Sequence, residues 1–314
     1  MKRFTMLFMA VVLAFVSGCS KQKNNVIKIG VIQLVEHSAL DANYKGFVDG
    51  LAEAGYIDGE NIKIDYNNAQ GEQANCVTIA QKFVTGKSDL IFAIATPAAQ
   101  AVANVTNKIP VVISAVTDPE SAKLVKSNQM PGKNVTGTSD LTPCAAQMEL
   151  VKKLCPEAKT VGMLYCSSEQ NSYFQIKLAE EACEKIGLNY IEATVSNSNE
   201  IQQVVQSLCS KVDVIYSPTD NMIAAGMPLV AQIATGNKIP TIVGEEGMCR
   251  IGGLATYGIN YYELGKQTAA MAVRIIRGEG TPADMPIEYS SNCNFVFNEE
   301  IAKALGVTIP AELL

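Results

Sequence analysis

Tryptophan is absent from this sequence, and histidine occurs only once, at position 37. Cysteine occurs nine times, but no two cysteines have the Cys-x-x-Cys spacing of common structural zinc sites. Nucleophile-elbow and phosphate-loop motifs are missing as well, which argues against a hydrolase or a nucleotide-dependent enzyme. The sequence therefore predicts neither a metal site nor a cofactor, and it favours a binding protein over an enzyme.

Long apolar runs are scarce, and after residue 18 none is long enough to cross a bilayer. The apolar stretch from Phe4 to Val16 follows two basic residues and is typical of a signal peptide. It leads into Ser17-Gly18-Cys19, which resembles the end of a bacterial lipobox. We therefore expect a signal peptide over 1–18, a lipid on Cys19 and a polar tether over 19–26, with the folded part anchored outside the cytoplasm. An ordinary signal peptide with an incidental cysteine is the alternative.

Basic residues are in the minority, since the formal charge is −6 and becomes −8 when Lys2 and Arg3 leave with the signal peptide. Nucleic acids and anionic lipids need a basic face, so we expect neither as a partner. The eight cysteines beyond Cys19 show no disulfide framework, and several lie in apolar runs. We expect mostly reduced, buried thiols, with disulfides as the alternative for an exported protein.

Short apolar runs alternate with helical patterns through the first half of the chain. Residues 27–33, 89–95 and 111–114 are typical of strands buried on both faces, and helical patterns cover about 41–54 and 72–84. This alternation predicts right-handed βαβ units, and therefore an α/β fold with a parallel sheet covered by helices on both sides.

The same pattern starts again about 124 to 132 residues later. Val161-Gly162-Met163-Leu164 repeats Ile29-Gly30-Val31-Ile32, and Lys238-Ile239-Pro240 repeats Lys108-Ile109-Pro110. Ordered recurrence of this kind indicates a duplicated unit. We therefore predict two doubly wound parallel-sheet lobes joined by a three-strand hinge. The predicted lobes are 27–139 with 260–280, and 140–259 with 281–314; the predicted hinge strands lie near 137–142, 257–260 and 280–287.

Helix-capping residues follow several predicted strands, on the side where two facing lobes would form a cleft. Thr96-Pro97, Asp118-Pro119, Thr142-Pro143 and Thr219-Asp220 are of this kind. Each helix start directs N–H groups and a partial positive charge toward the cleft, which suits a carboxylate or phosphate, although capping alone also explains each residue. His37 lies in a corresponding loop, where a hydrogen-bond donor is favoured over a catalytic base because no nucleophile motif accompanies it.

Several of these segments resemble the substrate-binding proteins of a bacterial ABC-transporter family that includes tryptophan and tyrosine uptake lipoproteins. The resemblance covers essentially all of the mature chain and is most specific in five segments: 36–41, 95–100, 115–119, 218–221 and 255–258. It implies the type I periplasmic-binding-protein fold and an extracytoplasmic receptor that serves a separate permease and ATPase. We expect the receptor to be a monomer. The favoured ligand is an aromatic or other amino acid, and a nucleoside or other solute is the alternative.

For an aromatic amino acid, the two ends of the ligand need different partners. The candidates for its carboxylate are Thr96, Ser168, Asn171 and Ser172. Asp220 is the first candidate for the ammonium group and Glu245 the second, because a buried charge needs a partner. The candidates that would flank the ring are Tyr44, Tyr173, Phe174 and Tyr257. A sensor that reports a solute to a membrane kinase and a cell-surface enzyme are the competing functions, of which the enzyme is the less favoured.

Overall fold

The computed structural model describes residues 26–290 and 292–313 of the chain. The predicted signal peptide, the lipid on Cys19 and all but the last residue of the tether lie outside these residues. Within the described residues, no helix combines the length and the apolar character that a membrane crossing needs. The eight cysteines from Cys76 to Cys293 are all unpaired, and six of them are buried.

The first lobe is a six-stranded parallel sheet in the order β11-β5-β4-β3-β1-β2. Its strands are β1 Ile27–Gln33, β2 Ile62–Asn68, β3 Leu90–Ile94, β4 Val111–Ser114, β5 Val135–Ser139 and β11 Glu288–Tyr289. Its helices are α1 Ser38–Glu53, α2 Gln73–Thr85, α3 Thr96–Val105 and α10 Tyr261–Ile276. All five residues of β3 are buried, as expected for an apolar strand covered on both faces.

The second lobe repeats this plan in the order β12-β10-β9-β8-β6-β7, with only β12 antiparallel. Its strands are β6 Thr160–Cys166, β7 Asn189–Val195, β8 Val214–Ser217, β9 Thr241–Val243, β10 Ala255–Gly258 and β12 Asn294–Phe297. Its helices are α4 Cys144–Leu154, α5 Gln170–Ile186, α6 Ile201–Cys209, α7 Asn221–Ala225, α8 Met227–Gly236, α9 Glu246–Ile251 and α11 Glu299–Leu305. Short 3₁₀ turns cover Ser198–Glu200 and Ala311–Leu313. The duplicated α/β fold predicted from the sequence is confirmed.

Helix α10 belongs to the first lobe because it packs closely on α1. A β-carbon at Gly265 would lie 2.0 Å from the carbonyl oxygen of Asn43, and one at Gly46 would lie 1.9 Å from that of Tyr262. Only glycine permits this approach of the two backbones. The packing returns the chain to the first lobe after β10, as the sequence analysis predicted.

The third passage between the lobes lies later in the chain than predicted. Ile287 is buried in the core of the first lobe, and the strand that follows it, β11, pairs with β5 of that lobe. The Thr136 hydroxyl also donates to the carbonyl of Met285 at 2.7 Å. Residues 281–289 therefore lie on the first lobe rather than the second, because the apolar side chains of Met285 and Ile287 are buried there. The chain passes between the lobes at 140–143, at 259–260 and again between β11 and β12.

Candidate functional site

The carboxyl ends of the two sheets face each other across a cleft, and the lobes are in contact over it. Gln170 of the second lobe donates to the carbonyl of Ser121 at 2.5 Å and accepts from Gln100 at 2.9 Å. Thr117 and Thr219 bring their hydroxyls within 3.4 Å of each other from opposite lobes. These contacts define a closed arrangement in which the polar groups of the cleft are shielded from water.

The wall contributed by the first lobe contains strained backbone at the ends of two strands. Ala95, after β3, has φ 83° and ψ 151°, and Ala115, after β4, has φ 54°. Such conformations cost about 1–3 kcal/mol for a residue with a β-carbon and tend to occur at functional sites. At Ala95 the chain turns sharply from β3 into α3, so that the start of α3 lies at the cleft.

The start of α3 is built to bind an anion. Thr96 is buried, and its hydroxyl has no partner among the described residues. The same is true of the N–H groups of Thr96 and Ala98 in the first turn, for which the described residues supply no acceptor. Helix starts carry a partial positive charge and free N–H donors. The position predicted for a ligand carboxylate thus has the donors that such a group needs.

Four buried carboxylates surround the cleft, and no lysine or arginine is buried anywhere in residues 26–290 and 292–313. The four are Asp140, Glu169, Asp220 and Glu245. Burial raises the pKa of Glu169 and of Glu245 to about 7, and the pKa values of Asp140 and Asp220 are raised by the same cause. Excess negative charge of this kind favours a ligand that brings a positive charge.

Asp220, the first candidate for the ammonium partner, is already well occupied. It accepts from the N–H of Ile223 at 2.8 Å, which caps α7, and from the N–H of Cys166 at 2.6 Å. Its third donor is the hydroxyl of Ser172 at 2.7 Å. These bonds give Asp220 and Ser172 a structural role, because they join α7, β6 and α5. The ligand contacts predicted for Asp220 and for Ser172 remain predictions.

Glu245, the second candidate, lies near an acidic residue that the sequence analysis did not select. Glu245 caps α9 by accepting from the N–H groups of Gly247 at 2.5 Å and Met248 at 2.6 Å. Asp140, in the first passage between the lobes, accepts from Tyr261 at 2.6 Å and Thr117 at 3.0 Å. Burial is the main cause of the raised pKa of Glu245, and the charges of Glu246 and Asp140 raise it further. We call Asp140 and Glu245 the hinge carboxylates.

Glu169 and Asn221 are two further cleft residues that the sequence analysis did not select. Glu169 accepts from both Asn171 and Asn221, and Asn221 also contacts His37 of the first lobe at 3.3 Å. Burial lowers the pKa of His37 to about 4, so its ring is neutral and makes a hydrogen bond across the cleft, the role favoured from the sequence. Ser168, by contrast, is exposed next to this group.

The four aromatic candidates are not gathered around one point. The ring of Tyr44 lies against that of Tyr66 at 4.5 Å between centroids in a tilted arrangement, and Tyr257 lies 5.7 Å from Phe295, in each case within one lobe. Tyr173 is 52% exposed, with Lys177 over its ring. Phe174 is partly buried and follows Gln170 by one helical turn, on the side of α5 that meets the first lobe. Of the four, Phe174 is therefore placed best to contact a ligand.

The fold and the cleft together define a two-lobed receptor for a small solute, of the type I periplasmic-binding-protein kind. Comparison with known sequences gives the family: residues 28–314 match the ABC transporter substrate binding proteins, and the chain belongs to that family. A tyrosine-binding protein of Clostridioides difficile is 45% identical over 287 residues, which are 91% of this chain and 82% of that protein. The family and this relative are binding proteins, not enzymes.

Solved structures match in both a ligand-bound and a ligand-free, open form. An ABC domain from Streptococcus pneumoniae in complex with L-Trp is 43% identical, with a TM-score of 0.89 over 92% of this chain and 97% of that one. The ligand-free, open structure of a substrate-binding protein with adhesive properties from Clostridium difficile is 48% identical, over 91% and 97%, but its TM-score is 0.70. The lower TM-score against the open structure, despite its higher identity, agrees with the interlobe contacts of the closed cleft in this chain.

Proposed function

We propose that this chain is the extracytoplasmic binding lipoprotein of an ABC importer and that it carries an aromatic amino acid, tyrosine or tryptophan. The observation that carries the proposal is the pairing of two kinds of site in one cleft. The start of α3 with the Thr96 hydroxyl suits a carboxylate, and the Asp140 and Glu245 carboxylates suit an ammonium group. An α-amino acid is the common solute that presents both groups on one carbon.

The names of the relatives support an aromatic side chain on the ligand. One relative is a tyrosine-binding protein, and one matched structure contains L-Trp. Phe174, on the part of α5 that faces the first lobe, supplies an aromatic surface for the ligand ring. Thr96 as a carboxylate partner and Glu245 as an ammonium partner were both predicted from the sequence, whereas Asp140 is a further ammonium partner.

The setting of the receptor follows from its family and its N-terminal sequence. Substrate-binding proteins of ABC importers deliver their solute to a permease that a separate ATPase drives. The apolar leader and Cys19 support a lipid anchor that keeps the receptor at the membrane surface. We propose that the anchored receptor is a monomer. Closure over the ligand would give the permease a surface that differs from that of the open form.

A thermal-shift screen of residues 26–314 against amino acids, nucleosides and sugars tests the proposal. Binding to the folded state raises the melting temperature by mass action. We expect tyrosine and tryptophan to raise it and nucleosides and sugars to leave it unchanged. A shift with nucleosides or sugars alone would overturn the assignment.

A further inference from the structure

Glu169 fixes the orientation of two asparagine side chains in the cleft. Its carboxylate accepts from the Nδ2 atoms of Asn171 at 3.1 Å and Asn221 at 2.5 Å, and from the N–H groups of Asn221 at 3.2 Å and Met222 at 3.0 Å. A carboxylate with four donors acts as an acceptor, so both amides must turn their NH₂ groups toward it. Both carbonyl oxygens, Oδ1, are then directed away from Glu169.

The two Oδ1 atoms have different surroundings. Asn221 Oδ1 lies 3.3 Å from His37 Nε2 and accepts a hydrogen bond from the N–H of this neutral ring. Asn171 is 6% exposed, and its Nδ2 also donates to the carbonyl of Thr219 at 3.0 Å. Its Oδ1 is buried and has no donor within the described parts of the chain. Asn171 therefore presents an acceptor, whereas the sequence analysis had assigned it to the ligand carboxylate, which needs donors.

This acceptor lies beside Glu169 on the second lobe. The two hinge carboxylates lie elsewhere in the chain, Asp140 in the first passage between the lobes and Glu245 at the start of α9. If the hinge carboxylates hold the ammonium group, the Asn171 acceptor is available to another donor of the same ligand. The relatives name tyrosine and L-Trp, whose side chains share a ring that ends in an O–H or N–H donor.

We infer that Asn171 Oδ1, oriented by Glu169, accepts the hydrogen bond of the ligand ring and makes the receptor select tyrosine and tryptophan against phenylalanine. The inference rests on the proposed function and deepens it. A ligand without the ring donor leaves the buried oxygen unpaired, and sites built around such a bond reject the analogue that lacks it. Asn171 is a specificity-determining residue in this account, and Glu169 is a positioning residue.

Calorimetric titration of residues 26–314 with L-tyrosine, L-tryptophan and L-phenylalanine tests this inference. We expect phenylalanine to bind at least about ten-fold more weakly than tyrosine. Asn171→Leu keeps much of the side-chain volume but has no polar side-chain atom. It should weaken the binding of tyrosine and tryptophan and bring the ratio of the affinities for tyrosine and phenylalanine close to one. Glu169→Gln should lower the same ratio, because a glutamine amide can meet either end of the Asn171 amide.

Gln170→Leu is the matched control, since it removes an amide next to Asn171 whose hydrogen bonds go to the first lobe. It should weaken the binding of all three ligands by a similar factor and leave the ratios of their affinities unchanged. If wild-type protein binds none of the three, the proposed function itself fails. If wild-type protein binds tyrosine and phenylalanine equally, or if folded Asn171→Leu and Glu169→Gln both keep the wild-type ratio, the receptor assignment stands and the role of Asn171 is overturned.

Discussion

The chemical character of the cleft depends on a few side chains, and only some of them can be recognised from the sequence. Thr96 could be found because a capping residue before a proline is a local pattern. Asp140 and Glu169 could not, because an acidic residue in a loop is usually solvated and its burial depends on contacts with distant segments. Asp140 is held by Tyr261, which lies 121 residues away. The hydrogen bonds of Asp220 could not be predicted for the same reason, since two of its donors come from β6 and α5.

Thr96→Val tests the carboxylate end of the site. The substitution removes the buried hydroxyl and keeps the shape of the side chain. A hydrogen bond to a charged group contributes about 1.5–3 kcal/mol, so we expect the Kd for the amino acid to rise roughly ten-fold to a hundred-fold in calorimetry. Thr78→Val, on the exposed face of α2, is the control and should bind like wild type. Equal affinities of the two variants would place the ligand carboxylate elsewhere.

The pKa of Glu245 predicts a pH dependence of stability. Burial raises it from 4.5 to about 7, so the folded state holds a proton that the unfolded state releases. The resulting stabilisation is present below about pH 4.5 and is lost as the pH rises through about 7. In ligand-free protein, Glu245→Gln should therefore reduce the loss of unfolding free energy between pH 5 and pH 7.5, by on the order of 1–3 kcal/mol.

Denaturant unfolding at the two pH values measures this effect. The control is Glu149→Gln, because the Glu149 side chain lies on the exposed face of α4 and is not among the charges that act on Glu245. Its pH dependence should match that of wild type. A Glu245→Gln variant that loses as much stability as wild type between pH 5 and pH 7.5 would show that this carboxyl does not titrate as a buried group.

At the level of helices and strands, the hydrophobic periodicity of the sequence predicts which elements are present, but it does not predict to which lobe the last strands belong. Alternating strands and helices were predicted correctly because strands buried on both faces, such as β3, are short and uniformly apolar. The first-lobe strand β11 has only two residues and no such signal. Its assignment depends on the burial of Met285 and Ile287 against a distant part of the chain, which local sequence does not encode.

Gly265→Ala tests the contact between α1 and α10 that holds the returning chain on the first lobe. The added methyl group would lie 2.0 Å from the Asn43 carbonyl oxygen, so the helices must separate. We expect a loss of about 1–3 kcal/mol in the free energy of unfolding, measured with urea. Gly236→Ala is the control, because a β-carbon there meets no atom within 4 Å. Equal stability of the two variants would contradict the close packing of α1 on α10.

At the scale of the whole molecule, the internal duplication predicted two lobes and the cleft between them. It could not predict how the lobes meet, because the bonds across the cleft join residues far apart in sequence, such as Gln100 with Gln170 and His37 with Asn221. These bonds exist only when the lobes are closed. In our proposal, closure also brings the start of α3 and the hinge carboxylates to the same ligand, an arrangement that the motifs alone do not predict.

The most direct test of this account is calorimetric titration of residues 26–314 with L-tyrosine and with two analogues that each lack one end. Tyramine has no carboxylate, and 3-(4-hydroxyphenyl)propionate has no ammonium group. We predict stoichiometric binding of L-tyrosine and at least about a hundred-fold weaker binding of each analogue. Tyramine leaves the donors at the start of α3 without a partner, and the propionate leaves the hinge carboxylates without one. Binding of either analogue as tightly as L-tyrosine would contradict it.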